Sequence, residues 1–142
     1  MGSKKIIMAL KTIYIIIFCL FLINGCASLS ESKQEELFET ASYSYEQALL
    51  FGKYEAAHGF IKSEATEDQV TDFRRLKKIK VTSYELIALK VLEDRNIIHQ
   101  RVEISYYFLD SLVEKTIVDN QLWKYYPEEK IWYLESGLPD FK

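Results

Sequence analysis

Between positions 97 and 108 the chain reads IIHQRVEISYYF. Ile98, Val102, Ile104, Tyr106 and Phe108 fall on one side of an extended backbone and His99, Arg101, Glu103 and Ser105 on the other, with Gln100 interrupting the apolar side. Successive side chains of a strand point to opposite faces, so this stretch demands a sheet with one buried and one wet face. The whole region after Leu76 shares its character: β-branched and aromatic residues dominate, and the polar clusters EDRN (93–96), DS (110–111) and PEE (127–129) punctuate them. Those clusters predict four strands, at about 79–92, 97–108, 112–126 and 130–135, with short connections that make neighbours antiparallel. Leu86-Ile87-Ala88-Leu89 breaks the alternation of the first strand and predicts either burial on both faces or a bulge.

The region before the strands has a different period. From 35 to 50, Leu37, Phe38, Ala41, Tyr45, Ala48 and Leu49 recur at three and four, which predicts an amphipathic helix ended by Gly52. KYEAAHGFI (53–61) reads as a short second helix with Tyr54, Ala57 and Ile61 inward. Thr66 with Gln69 is a capping-box signature for a third, in which Val70, Phe73 and Leu76 face the core. Helices first and a meandering sheet second predict an α+β domain over 35–142, its N-terminal helices packed on a four-stranded antiparallel sheet.

At the N-terminus, MGSKKIIMALK carries Lys4, Lys5 and Lys11 and no acid, and leads into the uncharged run TIYIIIFCLFLI (12–23). As a helix this run reaches about 18 Å, short against a hydrocarbon core of roughly 30 Å. A basic stretch, a short apolar stretch and a small residue are the parts of a secretory signal peptide. The next residues, Ile23-Asn24-Gly25-Cys26, resemble the lipobox of bacterial lipoproteins, with Asn24 standing where a small or hydroxyl residue is commoner.

That resemblance implies cleavage between Gly25 and Cys26, a diacylglyceryl group on the Cys26 sulfur, and an acylated new amino group. Two or more chains are what stable anchoring needs, each buried CH₂ contributing about 0.8 kcal/mol. Residues 1–25 are then a signal peptide, 26–34 a polar tether, and 35–142 the folded domain. Ala27, which is not Asp, favours the periplasmic face of an outer membrane by the same resemblance. The alternative is an uncleaved anchor starting at Ile6 that tolerates Lys11 by snorkelling.

Cysteine usage follows from this reading. Cys19 lies in the segment to be removed and Cys26 becomes a thioether, so neither a disulfide nor a cysteine metal site is expected. Loss of Lys4, Lys5 and Lys11 leaves 15 basic residues against 21 acidic ones and moves the formal charge from −3 to −6. A balance this acidic argues against nucleic acid as a partner.

Three helices followed by a long antiparallel sheet resemble the curved, cone-shaped fold of the nuclear transport factor two and ketosteroid isomerase superfamily, over about 35–141. The ending QLWKYYPEEKIWYLESGLPDF, with Trp123, Tyr125, Trp132 and Leu134 on a closing hairpin, is similar to small lipoproteins of that fold. A cystatin-like arrangement is the nearest competitor. The scaffold carries enzymes, ligand binders and adaptors alike, so it does not select among them.

A pocket in the cone would be lined by Tyr84, Tyr106 and Asp119, because isomerases and dehydratases of the superfamily set Asp, His and Tyr around a carbonyl. His58, His99 and Tyr107 complete that set. A solvated strand face accounts for His99, and a partly buried or capping imidazole for His58. No glycine-rich phosphate loop, nucleophile motif or metal-ligand spacing is present in the sequence, so neither catalysis nor a cofactor is expected.

Two surface features compete for an interaction role. Arg74, Arg75, Lys77 and Lys78 in RRLKKIK (74–80) either meet anionic head groups or an acidic partner, or complement a helix C-terminus. Trp123 and Trp132 either form an interface or fill the core. The expected function is an accessory or adaptor subunit of a cell-envelope assembly, held to the membrane through Cys26 and bound to an envelope protein. A homodimer across the outer sheet face, around His99, Arg101, Glu103 and Tyr107, is a further expectation. The alternative is a binder of a small apolar or lipid-like molecule, with an isomerase-like or dehydratase-like enzyme behind it.

Overall fold

The computed structural model describes residues 25–62, 71–92 and 95–142, with side chains from Glu31 onward. Leu37–Lys142 is one compact unit, and Met1–Glu36 is a second whose described part is the beginning of the first helix. Among the described residues three helices, α1 (Gly25–Leu50), α2 (Tyr54–His58) and α3 (Phe73–Leu76), precede four strands, β1 (Ile79–Val91), β2 (Ile97–Phe108), β3 (Glu114–Tyr126) and β4 (Ile131–Leu134). The apolar run, with Ile23 and Asn24 of the stretch that resembles a lipobox, lies outside the described residues.

α1 starts ten residues before the expected position, so the stretch read as a tether is helical. Its Ala, Leu, Glu, Lys and Gln residues are good helix formers, and the serines among them suggested a linker only by composition. At its far end the helix closes on Gly52, whose φ of 66° is left-handed. The Gly52 amide donates to the Leu49 carbonyl at 3.0 Å and the Lys53 amide to that of Ala48 at 2.7 Å. These two bonds make a Schellman cap, which satisfies carbonyls the helix itself cannot.

α2 and α3 are short. Tyr54 and Ala57 of α2 are buried, and Ile61 just beyond forms a parallel bridge with Leu134 of β4. The expected capping box, Thr66 and Gln69, lies with Val70 outside the described residues. The N-cap of α3 is Asp72, whose carboxylate accepts from the Arg74 and Arg75 amides at 3.0 and 3.2 Å.

The strands pair antiparallel in the order β1-β2-β3-β4, a plain meander. The inward side of β2, Ile98 to Tyr106 at every second position, is buried while His99, Arg101 and Glu103 are exposed, as the alternation requires. The sheet is not strongly curled, and an enclosing cone is not seen among the described residues. β1 lies at the edge and carries irregularities between Val81 and Ser83 and between Leu86 and Ala88. Of the two readings of its apolar run the bulge is present, but burial on both faces is not. Every residue from Glu85 to Val91 is exposed, because nothing among the described residues covers this end of the edge strand.

The core lies between α1 and the inner sheet face. Phe38 meets Trp132 and Trp123 edge-on at 5.2 and 6.0 Å between ring centres, and Tyr45 meets Trp123 at 5.6 Å. Val102, Ile104 and Leu134 complete the floor. Full burial of one such side chain contributes about 1.5–3 kcal/mol, so this aromatic seam supplies much of what holds helix to sheet.

Candidate functional site

Polar side chains from α1 and three strands meet inside this otherwise apolar layer. Antiparallel register sets Gln100 of β2 directly opposite Gln121 of β3 and Val102 opposite Asp119, so both glutamines and the aspartate face the helix. Gln100 and Gln121 are buried, which for an amide demands partners. They have them. The Ser42 hydroxyl donates to the Gln100 carbonyl at 3.2 Å, the Gln100 amide to the Tyr84 oxygen at 3.4 Å, and the Tyr84 hydroxyl to the Gln121 carbonyl at 3.0 Å. The Gln121 amide then donates to the Asp119 carboxylate at 2.9 Å, while the Trp123 indole N–H adds a second bond to the Gln121 carbonyl at 3.2 Å.

Electrostatics follow from the setting. Burial pushes the Asp119 carboxyl above its ordinary range, against the opposing hydrogen bond from Gln121. Burial, more than the neighbouring Asp119 charge, lifts the Tyr84 hydroxyl, although its bond to Gln121 works the other way. Tyr45 is the odd member. Its hydroxyl is wholly buried, has no hydrogen-bond partner among the described residues, and is raised by burial first and by Asp119 and Tyr84 after it. The network thus combines a carboxyl with raised proton affinity and an unsatisfied phenol.

Beside this network an open groove of about 310 Å³ runs between α1 and the edge of the sheet. Ser42, Glu46, Tyr84 and Gln100 give it a polar wall, and Phe38, Leu86 and Leu89 an apolar one. Burial raises the Glu46 carboxyl as well. Leu86 and Leu89 of that wall, with Ile87 and Val91, are 57, 45, 44 and 48% exposed, an apolar strip on the β1 edge. Isolated exposed apolar residues are ordinary, whereas a contiguous run on a free strand edge is an interaction surface or a hazard.

Of the residues expected to line a pocket, the structure brings Tyr84 and Asp119 together through Gln121 and leaves Tyr106 out. Tyr106 is a core residue whose hydroxyl donates to the Lys142 carbonyl at 2.7 Å and accepts from its amide at 2.9 Å. Trp123 and Trp132 are interior packing residues, not surface anchors, because the helix covers them. His58 packs edge-on against Phe73 at 5.4 Å, and His99 is exposed on the outer face beside a hollow of about 230 Å³ also lined by Arg101 and Asn120. Among the described residues no three His, Cys, Asp or Glu side chains converge in a metal-binding arrangement.

The basic run has local tasks. Lys77 pairs with Glu55 at 2.6 Å, which lowers the Glu55 carboxyl chiefly through that hydrogen bond. Arg75 donates to the Phe141 carbonyl and lies 5.9 Å from the Phe108 ring centre, and Arg74 approaches Asp72 at 4.0 Å. Lys78 is exposed. An ion pair with α2 and docking of the C-terminal segment therefore occupy Lys77 and Arg75 respectively.

Sequence reasoning missed Ser42, Tyr45, Gln100 and Gln121. One signal was present: Gln100 sits at an inward position of a clean alternation, and a buried amide there calls for a buried partner. Comparison with known protein families, curated proteins and solved structures finds no match.

Proposed function

We propose that the chain is a lipid-anchored interaction module of a bacterial cell envelope, fastened through Cys26 and working through its protein surface as a non-catalytic accessory or adaptor subunit. The observation that carries this reading is the exposed apolar strip Leu86, Ile87, Leu89 and Val91 on the edge of β1 that pairs with no other strand among the described residues. A surface of this kind recruits a partner strand, since it offers both apolar side chains and unpaired backbone groups. The lipobox supports the anchor, and Ala27 supports the periplasmic face of an outer membrane. Helices before a meander sheet also support kinship with the nuclear transport factor two-like scaffold, in a branch with a flatter sheet.

The test is photo-crosslinking in cells from position 87 of the full-length chain, with mass spectrometry of the products. A discrete protein adduct supports the reading, and adducts to lipid or none at all oppose it. A second reading, a groove that binds a small apolar molecule with one polar group, draws on its polar wall of Ser42, Glu46, Tyr84 and Gln100 set against Phe38, Leu86 and Leu89. Extraction of the purified protein would then release a stoichiometric small molecule.

A further inference from the structure

We infer that the partner of the β1 edge is a second copy of this chain, joined antiparallel through residues 84–91; the inference rests on the interaction-module reading above. The segment Glu85-Leu86-Ile87-Ala88-Leu89-Lys90 has opposite charges at its two ends and apolar residues between them. Laid antiparallel on itself about a two-fold axis between Ile87 and Ala88, it sets Glu85 beside Lys90 of the second copy, Leu86 beside Leu89, and Tyr84 beside Val91.

The bulge makes this register possible. A two-fold axis perpendicular to the sheet keeps each residue on its own face, and paired residues must share a face. In a regular strand Leu86 and Leu89, three apart, would point to opposite sides. Here Leu86 lies opposite Val102 and Leu89 opposite Gln100, both inward, because the irregularity at Ile87 shifts the alternation by one. For the same reason Glu85, opposite Glu103, and Lys90, opposite His99, both point outward. All the proposed pairs therefore match face to face.

Charge supplies the second argument. Within one copy Glu85 sits directly across from Glu103, a like-charge pair that disfavours the sheet. Neither Glu85 nor Lys90 has an ion-pair partner among the described residues. Lys90 of a second copy would lie on the open side of Glu85, offsetting that repulsion twice per dimer. The product is a continuous eight-stranded sheet in which the exposed leucines of both edges cover one another.

The test is a charge swap on the full-length protein in detergent, followed by sedimentation. The wild type is expected to be a dimer. Glu85→Lys and Lys90→Glu are each expected to weaken association roughly tenfold, because each turns two attractive pairs into repulsive ones. The double variant E85K/K90E restores the pairs and is expected to return the association to near that of the wild type. Unchanged emission from the buried tryptophans shows that the variants fold, as both positions are exposed.

A dimer indifferent to single reversals, or not rescued by the swap, overturns the proposed pairing. So does a wild type that stays monomeric at about 100 µM, a concentration that would populate any useful dimer. If that monomer still crosslinks from position 87 to another envelope protein, the self-pairing fails and the interaction module stands. A monomer with no crosslink overturns both.

Discussion

The Tyr45 hydroxyl costs the fold stability, and Tyr45→Phe removes that cost while keeping the ring. The tyrosine ring packs edge-on against Trp123 at 5.6 Å and against Phe60 at 6.0 Å, contacts that phenylalanine reproduces. What changes is one buried oxygen with no partner among the described residues. Leaving a buried polar group unsatisfied costs about 1–3 kcal/mol. The Asp119 carboxylate, which accepts from Gln121, makes no hydrogen bond to that oxygen. Tyr45→Phe is therefore expected to stabilise the protein by about 1–2 kcal/mol, which for a domain of this size raises Tm by about 4–8 °C per kcal/mol. The assay is urea denaturation of the full-length protein in detergent, followed by tryptophan emission, since both tryptophans are buried in the same layer. A loss of about 1 kcal/mol or more in the phenylalanine variant would refute the reasoning. It would mean that the hydroxyl holds a buried water inside the core.

Other perturbations have equally definite outcomes. Gly52→Ala keeps open space, its added Cβ coming no nearer than 4.0 Å to Tyr54, yet forces a left-handed φ of 66° on alanine. The expected loss is about 1–2 kcal/mol in the same urea titration, from backbone conformation alone. Asp119 binds its proton more tightly folded than unfolded, so its contribution is most favourable below the ordinary aspartate pKa of about 4, declines as pH rises toward the folded value, and stays reduced above it. Asp119→Asn should remove that decline, and the difference between the two urea midpoints should grow with pH across this window. Cys26→Ser should accumulate uncleaved precursor that takes up no labelled fatty acid; a mature, membrane-bound product would contradict the lipobox reading.

Strand positions were legible because each ends at a cluster of polar or turn-forming residues, and β2 is resolved at the predicted residues 97–108. Its alternation also reports the wet outer face directly. The start of α1 was not legible, since serine-rich composition looks like a linker while the intervening Glu, Gln and Lys residues support a helix. β1 defeated the inference from hydrophobicity to burial: Leu86-Ile87-Ala88-Leu89 is apolar and exposed, because burial depends on a covering layer the segment itself does not encode. The polar network escaped for a related reason. Its members are drawn from α1, β1, β2 and β3, and only register places Gln100 against Gln121 and within reach of Tyr84.

The indole of Trp123 gives that network a polarity. An indole nitrogen can only donate, so it holds the Gln121 amide with its oxygen toward the indole and its NH₂ toward Asp119. With that oxygen fixed, Tyr84 must donate to it; the Tyr84 oxygen must then receive the Gln100 NH₂, and Ser42 must donate to what remains of Gln100. The donor-only indole and the acceptor-only carboxylate, both bonded to Gln121, thus dictate the orientation of two amides and two hydroxyls, and every dipole in the row points the same way, toward Asp119. Replacing Trp123 by a side chain of equal bulk without the N–H would leave the packing filled and the direction of the row held by the Asp119 carboxylate alone. The interior of this small domain is ordered in direction as well as in position, and one donor that cannot accept and one acceptor that cannot donate set it.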